Sequence, residues 1–204
     1  MYNAYIVGKH VYLRHPTEND VAGRWHEWFS DEEVTKYIGD RYWPNSTEAQ
    51  LDFYRSCLNS RSRLLLAIVD IESDKHIGVC SLSNISWVHR YADLSFVIGE
   101  KDFRKGTYAF ESAALLLRVA FLRLNLKTVR GGHAVANDAS AMVLKMLRFE
   151  TIGVYKEMFW ADGKFNDYAL CMLRFEDWLK AERPSSEGAT SLHRQSITKV
   201  ESHG

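Results

Sequence analysis

Apolar positions along the 204-residue chain keep two rhythms. From Tyr91 to Gly99 they alternate, with Ala92, Leu94, Phe96 and Ile98 on one face and Asp93, Ser95 and Val97 on the other, which predicts a strand. From Ala109 the rhythm lengthens: Ala113, Leu116, Leu117, Ala120 and Leu124 recur at helical spacing. Phe103-Arg104-Lys105-Gly106-Thr107-Tyr108-Ala109 joins the two. A basic, glycine-containing turn that opens a helix is a ready anion site. The amides of the first helical turn lack intrahelical partners, and the helix dipole favours negative charge there. A plain solvated turn would fit the same residues.

The same rhythms predict a strand at His10 to Arg14, then a helix capped by Thr17 with Val21, Trp25, Trp28 and Phe29 in one stripe. Ser30-x-x-Glu33 reads as a capping box for a short helix, and Thr47-x-x-Gln50 caps another with Leu51, Tyr54 and Leu58 inward. Strands at Leu64 to Ile71 and His76 to Ile85 flank the polar turn Glu72-Ser73-Asp74-Lys75, a hairpin signal. Lys127 to Val135 reads as a strand interrupted by Gly131-Gly132, and Asn137 caps a helix running to Leu147. Thr151 to Trp160 and Phe165 to Arg174 surround Asp162-Gly163, a strong hairpin cue. The order predicts an α+β fold, a mixed and mostly antiparallel central sheet flanked by helices, in one domain over residues 1–181. Residues 182–204 have no aromatics and are rich in Ser, Glu, Gly and Thr, so they read as a disordered tail.

Composition narrows the partners. Lys plus Arg equals Asp plus Glu at 26 each, so no basic excess points to nucleic acid and no acidic tail to a basic partner. Cys57, Cys80 and Cys171 are odd in number and lack Cys-x-x-Cys spacing, as reduced core residues of a cytosolic protein do. No apolar run approaches the ~18 residues of a membrane span, and Met1 to Tyr5 lacks the charged and apolar regions of a secretory signal. A cytoplasmic location is the expectation. The eight histidines show no metal-ligand spacing, so no metal is expected. The chain also lacks a Gly-x-Ser-x-Gly elbow, a Gly-Lys-Ser/Thr phosphate loop and a His-Glu-x-x-His motif.

His133 follows two glycines whose small side chains let a substrate approach the strand, and an imidazole titrating near 6.5 suits a base. A satisfied strand histidine is its plain alternative. Tyr42 and Trp43, in the loop from Gly39 to Asn45, can stack on a sugar or nucleotide base or simply pack. His89 and Arg90, just before the Tyr91 strand, are placed in an acceptor pocket or in a polar linker.

Phe103 to Ala109, followed by Leu115 to Leu126, resembles the acetyl-CoA-binding turn and helix of GNAT-type N-acetyltransferases. The similar branch contains ribosomal-protein N-terminal, polyamine and amino-sugar acetyltransferases. Val11-Tyr12-Leu13-Arg14, His76-Ile77-Gly78, Ala92-Asp93-Leu94, Asn137-x-x-Ser140, Leu147-x-Phe149 and Asp162-Gly163-Lys164-Phe165-Asn166-Asp167 extend the resemblance over residues 9–178. The sequence departs from the family at Thr107, which takes a glycine position, at Arg148, where glycine is common, and at Leu144, where many relatives carry the Tyr thought to protonate the departing thiolate.

The resemblance implies the acyl-CoA N-acyltransferase fold, acetyl-CoA as co-substrate and a small-molecule amine acceptor, and it allows a homodimer. It places the cofactor on Val97, Ile98, Gly99, Arg104, Lys105, Gly106, Thr107, Tyr108, Ala109, Asn137 and Ser140, and it makes Asp93 a candidate base beside His133, with Glu100 in reserve. A lysine-like amine needs such help, because deprotonation at pH 7 costs about 4.6 kcal/mol. Arg130-Gly131-Gly132-His133 and Tyr42-Trp43-Pro44 resemble amino-sugar enzymes, acting on a sugar or sugar nucleotide, more than ribosomal ones. A polyamine acceptor would draw on Glu32, Glu33 and Asp40, and a protein N-terminus is a further alternative. A non-catalytic acyl-CoA-binding module is the reading from another class, with Thr107 and Leu144 as its arguments.

Overall fold

The computed structural model describes residues 1–104 and 106–182, with Asp40 and Arg41 described by their backbone alone. The expected disordered tail therefore lies outside the described residues, apart from Glu182. The strands are β1 (Ala4–Val7), β2 (Val11–Arg14), β3 (Leu64–Asp70), β4 (His76–Ser86), β5 (Tyr91–Ile98), β6 (Thr128–Ala134), β7 (Glu150–Ala161) and β8 (Lys164–Arg174). They form one sheet in the order β1-β2-β3-β4-β5-β6-β8-β7, antiparallel at every pairing except β5 with β6. The expected α+β fold with a mostly antiparallel sheet is what forms.

One face of the sheet carries α1 (Glu18–Asp20), α2 (His26–Trp28), α3 (Glu32–Thr35) and α4 (Thr47–Leu58). Its core joins Val21, Trp25, Trp28, Tyr54 and Cys57 to Leu65 and Val79. The other face carries α5 (Thr107–Arg118), α6 (Asp138–Met146) and α7 (Phe175–Glu182), whose Ala113, Leu116, Val143 and Trp178 join the larger core with Leu66, Ile68 and Ala92. Covered on both faces, β3 is a continuous apolar run rather than an alternating one. At the β7–β8 hairpin Asp162 and Gly163 both take positive φ, 53° and 73°, as a two-residue turn between twisted strands requires.

Several local expectations shift. Thr17 caps α1 through a box with Asp20, but the helix breaks at Gly23. Asp31, not Ser30, caps α3 by accepting from the Glu33 amide at 2.9 Å, because a carboxylate is the stronger acceptor. Ser46, one residue before Thr47, caps α4, which turns Cys57 inward and leaves Leu58 44% exposed. Gly131 and Gly132 do not interrupt β6, and β1 and α7 form without having been expected. Arg148 does take the left-handed position after α6, with φ of 64°.

The feature that positions the site is where β5 and β6 part. They pair only at Tyr91–Thr128, Ala92–Val129 and Asp93–Arg130. Beyond that, β5 stays with β4 as far as Ile98–Gly78, and β6 stays with β8 as far as Ala134–Tyr168. The parallel pair opens like a V.

Candidate active site

A cleft of about 920 Å³ occupies the opening and runs to the start of α5. Gly106 precedes that helix with φ of 42° and ψ of −43°, and no side chain caps it. The positive φ that the family turn needs thus falls on Gly106, and Thr107 begins the helix without strain. The amides of Thr107, Tyr108 and Ala109 have no partner among the described residues, which leaves them free for an anion. Lys105 lies outside the described residues.

Arg104 Nη2 donates to the Gly99 carbonyl at 2.9 Å, and looser ion pairs reach Asp31 and Glu33 at 3.7 and 3.6 Å. This bracing leaves Arg104 Nε buried with no partner among the described residues. An orphaned guanidinium N–H beside uncapped helix amides fits the diphosphate of coenzyme A. Tyr108 instead packs edge-on against Phe103, with ring centroids 5.1 Å apart.

Hydrogen-bonding phase decides which β5 residues are open. The Gly99 amide donates to the Ile77 carbonyl at 2.9 Å. Alternate residues of an antiparallel strand face the same neighbour, so Val97 and Ser95 also spend their backbone groups on β4. Phe96 and Ile98 direct theirs into the gap left by β6. The expectation that Val97 and Gly99 amides are open to a pantetheine arm is corrected accordingly: theirs face β4, and the backbone groups open to the gap are those of Ile98 and of Phe96, unrecognised in the sequence. On α6, Asn137 Oδ1 caps the helix by accepting from the Ser140 amide at 3.1 Å. Asn137 Nδ2 and Ser140 Oγ have no partner among the described residues, and both residues line the cleft.

The proposed bases fare differently. Asp93 Oδ1 accepts from Arg130 Nε at 2.7 Å and Oδ2 accepts from Asn84 Nδ2 at 2.8 Å, so both oxygens are engaged. The Asp93 carboxylate raises the Arg130 guanidinium further above its ordinary range. Arg130 also lies 3.9 Å above the Tyr91 ring centroid, and its side chain is 43% exposed where it borders the cleft. His133 Nδ1 sits 2.9 Å from the Ala134 carbonyl. A carbonyl only accepts, so Nδ1 carries the proton and Nε2 of the neutral ring keeps its lone pair. Glu100 is no base: it is 4% exposed and accepts from Trp28, Arg24 and Lys75. Burial alone would push its carboxyl up, but the Lys75 ammonium, the Trp28 N–H and the Arg24 guanidinium together hold it below the ordinary glutamate range.

Both glycines before His133 line the cleft, but neighbouring side chains already occupy the space beside them. A Cβ on Gly131 would stand 3.4 Å from Leu144, and one on Gly132 would meet Tyr168 Cε1 at 2.5 Å. Leu144 is buried in the cleft wall where a tyrosine would otherwise stand.

The residues expected to hold the acceptor lie off the cleft. Arg90 takes φ of 56° in the β4–β5 turn and donates to the Asn125 carbonyl and side chain at 2.8 and 2.7 Å, while His89 stacks on Tyr91. Tyr42 donates to the Trp160 carbonyl at the far hairpin, and Trp43 is 79% exposed. Tyr168, unrecognised in the sequence, lines the cleft instead; only the β6–β8 register brings it there.

A family profile described as an acetyltransferase (GNAT) domain matches residues 10–150. A Bacillus licheniformis protein named uncharacterized N-acetyltransferase p20 is 25% identical over 153 residues, covering 74% of this chain and 85% of that one. Among solved structures, the spermidine N-acetyltransferase from Vibrio cholerae in complex with CoA and spermine superposes with a TM-score of 0.77 at 19% identity, covering 84% of this chain and 99% of that one. A GNAT-family acetyltransferase from Bacillus anthracis gives 0.72 at 20% identity, covering 84% and 98%. With the profile spanning most of the sheet and the α5 turn, the chain belongs to the GNAT family and is an acetyl-CoA-dependent N-acetyltransferase.

Proposed function

We propose that residues 1–181 act as a single catalytic domain that acetylates the primary amine of a small acceptor that is not a polycation, namely an amino sugar in free or nucleotide-linked form. The charge state of the cleft carries this reading. Its carboxylates are already neutralised: Asp93 by Arg130, and Glu33, at the rim, by Lys101 at 3.0 Å and Arg104 at 3.6 Å. A spermidine-like chain of ammonium groups would need unpaired carboxylates. Hydroxyl and phosphate oxygens instead suit the Arg130 guanidinium, which borders the cleft with 43% of its side chain exposed.

In this reading the Thr107 to Ala109 amides and Arg104 Nε hold the diphosphate, and Phe96 and Ile98 pair with the pantetheine amides. When bound, acetyl-CoA supplies an electrophilic thioester carbonyl. Asp93 fixes Arg130 against the acceptor. His133 Nε2 takes the proton that the attacking amine loses, a role worth roughly 10²–10⁴-fold when the base is well placed.

A polyamine acceptor is the second reading, favoured by the likeness to the spermidine enzyme. Thiol release from acetyl-CoA with a panel of amino sugars, nucleotide-linked amino sugars, spermidine and spermine separates the two. The highest kcat/KM is expected with a sugar amine. A higher value with spermidine would transfer the assignment to polyamines.

A further inference from the structure

Acetyl transfer leaves a thiolate that needs a proton, and Leu144 cannot give one. Among the described residues lining the cleft, few side chains can. Tyr37 spends its hydroxyl on the Ala136 carbonyl at 3.1 Å. Tyr155 is 53% exposed on the outer strand β7. His133, with Nδ1–H committed to Ala134, offers only a lone pair while neutral. Tyr168 remains. It is half-buried, its hydroxyl has no partner among the described residues, and that oxygen stands 2.8 Å from where a Cβ on Gly132 would be. The missing side chain at Gly132 is what lets the ring lie against β6 two residues past the last β5–β6 pair, on the face that carries Arg130. Phe159 backs the ring from β7, with centroids 6.3 Å apart.

We infer that Tyr168 is the catalytic acid of this enzyme, donating its phenolic proton to the departing sulfur. The step balances: the amine nitrogen bonds to the acetyl carbon, the carbon–sulfur bond breaks with its electron pair on sulfur, and the Tyr168 O–H proton passes to that sulfur. The proton lost by the amine returns to the phenolate through solvent. Burial raises the phenol above its ordinary range, with Cys171 and Asp93 adding to the effect, so the donor form persists through neutral pH. Besides Asp93 and Cys171, the titratable groups that line the cleft from the neighbouring strands are Arg130 and His133 on β6 and Tyr155 on β7.

The inference rests on the acetyl-CoA site proposed above, and one pair of ligands separates the two. Calorimetry at alkaline pH compares coenzyme A, present as thiolate, with desulfo-coenzyme A. Wild type is expected to bind the thiolate about ten-fold better than the desulfo analogue, and Tyr168→Phe, which keeps the ring and its packing, to erase that difference while binding desulfo-coenzyme A unchanged. In turnover the same variant loses about 10²-fold in kcat with the KM for acetyl-CoA within two-fold. A preserved thiolate preference in Tyr168→Phe, or an unchanged kcat, overturns the inference. Failure of wild type to bind either ligand overturns the cofactor site itself.

Discussion

Asp93 Oδ1 and Arg130 Nε stand 2.7 Å apart across the last residue pair that β5 and β6 share. The ion pair closes the throat of the V and fixes a guanidinium at its open side. A carboxylate so engaged, with Asn84 on its other oxygen, orients better than it deprotonates. Asp93→Asn is therefore expected to raise the acceptor KM about ten-fold or more, with kcat changed less than about three-fold and the KM for acetyl-CoA unaltered. Steady-state kinetics decide: a fall in kcat at constant KM would return Asp93 to the role of base.

His133→Gln keeps a polar side chain on β6 but removes the proton acceptor at Nε2. Its kcat is expected to fall about 10²-fold at neutral pH, with the KM for acetyl-CoA unchanged. An unchanged kcat in the variant would assign the base to another group.

Gly106→Ala tests the anion site without a collision, because the nearest atom to the new Cβ is Met142 Cε at 4.0 Å. The strain is in the backbone alone, about 1 kcal/mol at φ of 42°. Calorimetry with coenzyme A is expected to show weaker binding, while a far-UV spectrum stays unchanged. Unaltered affinity would mean that the turn does not hold the diphosphate.

At Arg148 the same physics runs in reverse. Its φ of 64° suits glycine, so Arg148→Gly is expected to stabilise the fold by roughly 1 kcal/mol and raise Tm by about 2–4 °C, without touching activity. A lower Tm would mean that the arginine side chain contributes more than the backbone strain costs.

His76 predicts a pH dependence of stability. Burial pushes its imidazole down to about 4, the Asp20 carboxylate 3.2 Å away offsetting this only in part. The unfolded chain takes up the proton near pH 6.5 and the folded one not until about 4. Stability is therefore full above about 6.5 and declines as pH falls towards 4, by up to about 1.4 kcal/mol per unit. Urea midpoints across that window should fall, and His76→Asn should flatten the slope.

Much of the fold could be read from periodicity, since a strand covered on one face and a helix with one apolar stripe write their geometry into residue spacing. The hairpins and the α5 turn followed for that reason. What escaped depends on partners distant in sequence. Cap choice at Asp31 and Ser46 turns on a one-residue offset that periodicity does not resolve. The roles of Phe96 and Val97 reverse once Gly99 is seen bonded to Ile77, a phase that no local pattern carries. Glu100 looks like a reserve base until Trp28, Arg24 and Lys75 converge on it from three separate segments. Tyr168 enters the site only through register with Ala134.

At two successive positions β6 brings no side chain of its own, and each vacancy is filled from a different direction: Leu144 and Phe149 press on Gly131 from one face, Tyr168 on Gly132 from the other. Between Leu144 and the Tyr168 ring the wall is there a single polypeptide backbone thick. A bulkier or smaller residue at 144 would thus be felt by the phenol across the strand with no intervening layer to absorb the displacement, so the tyrosine's position can drift through changes on a helix that it never meets.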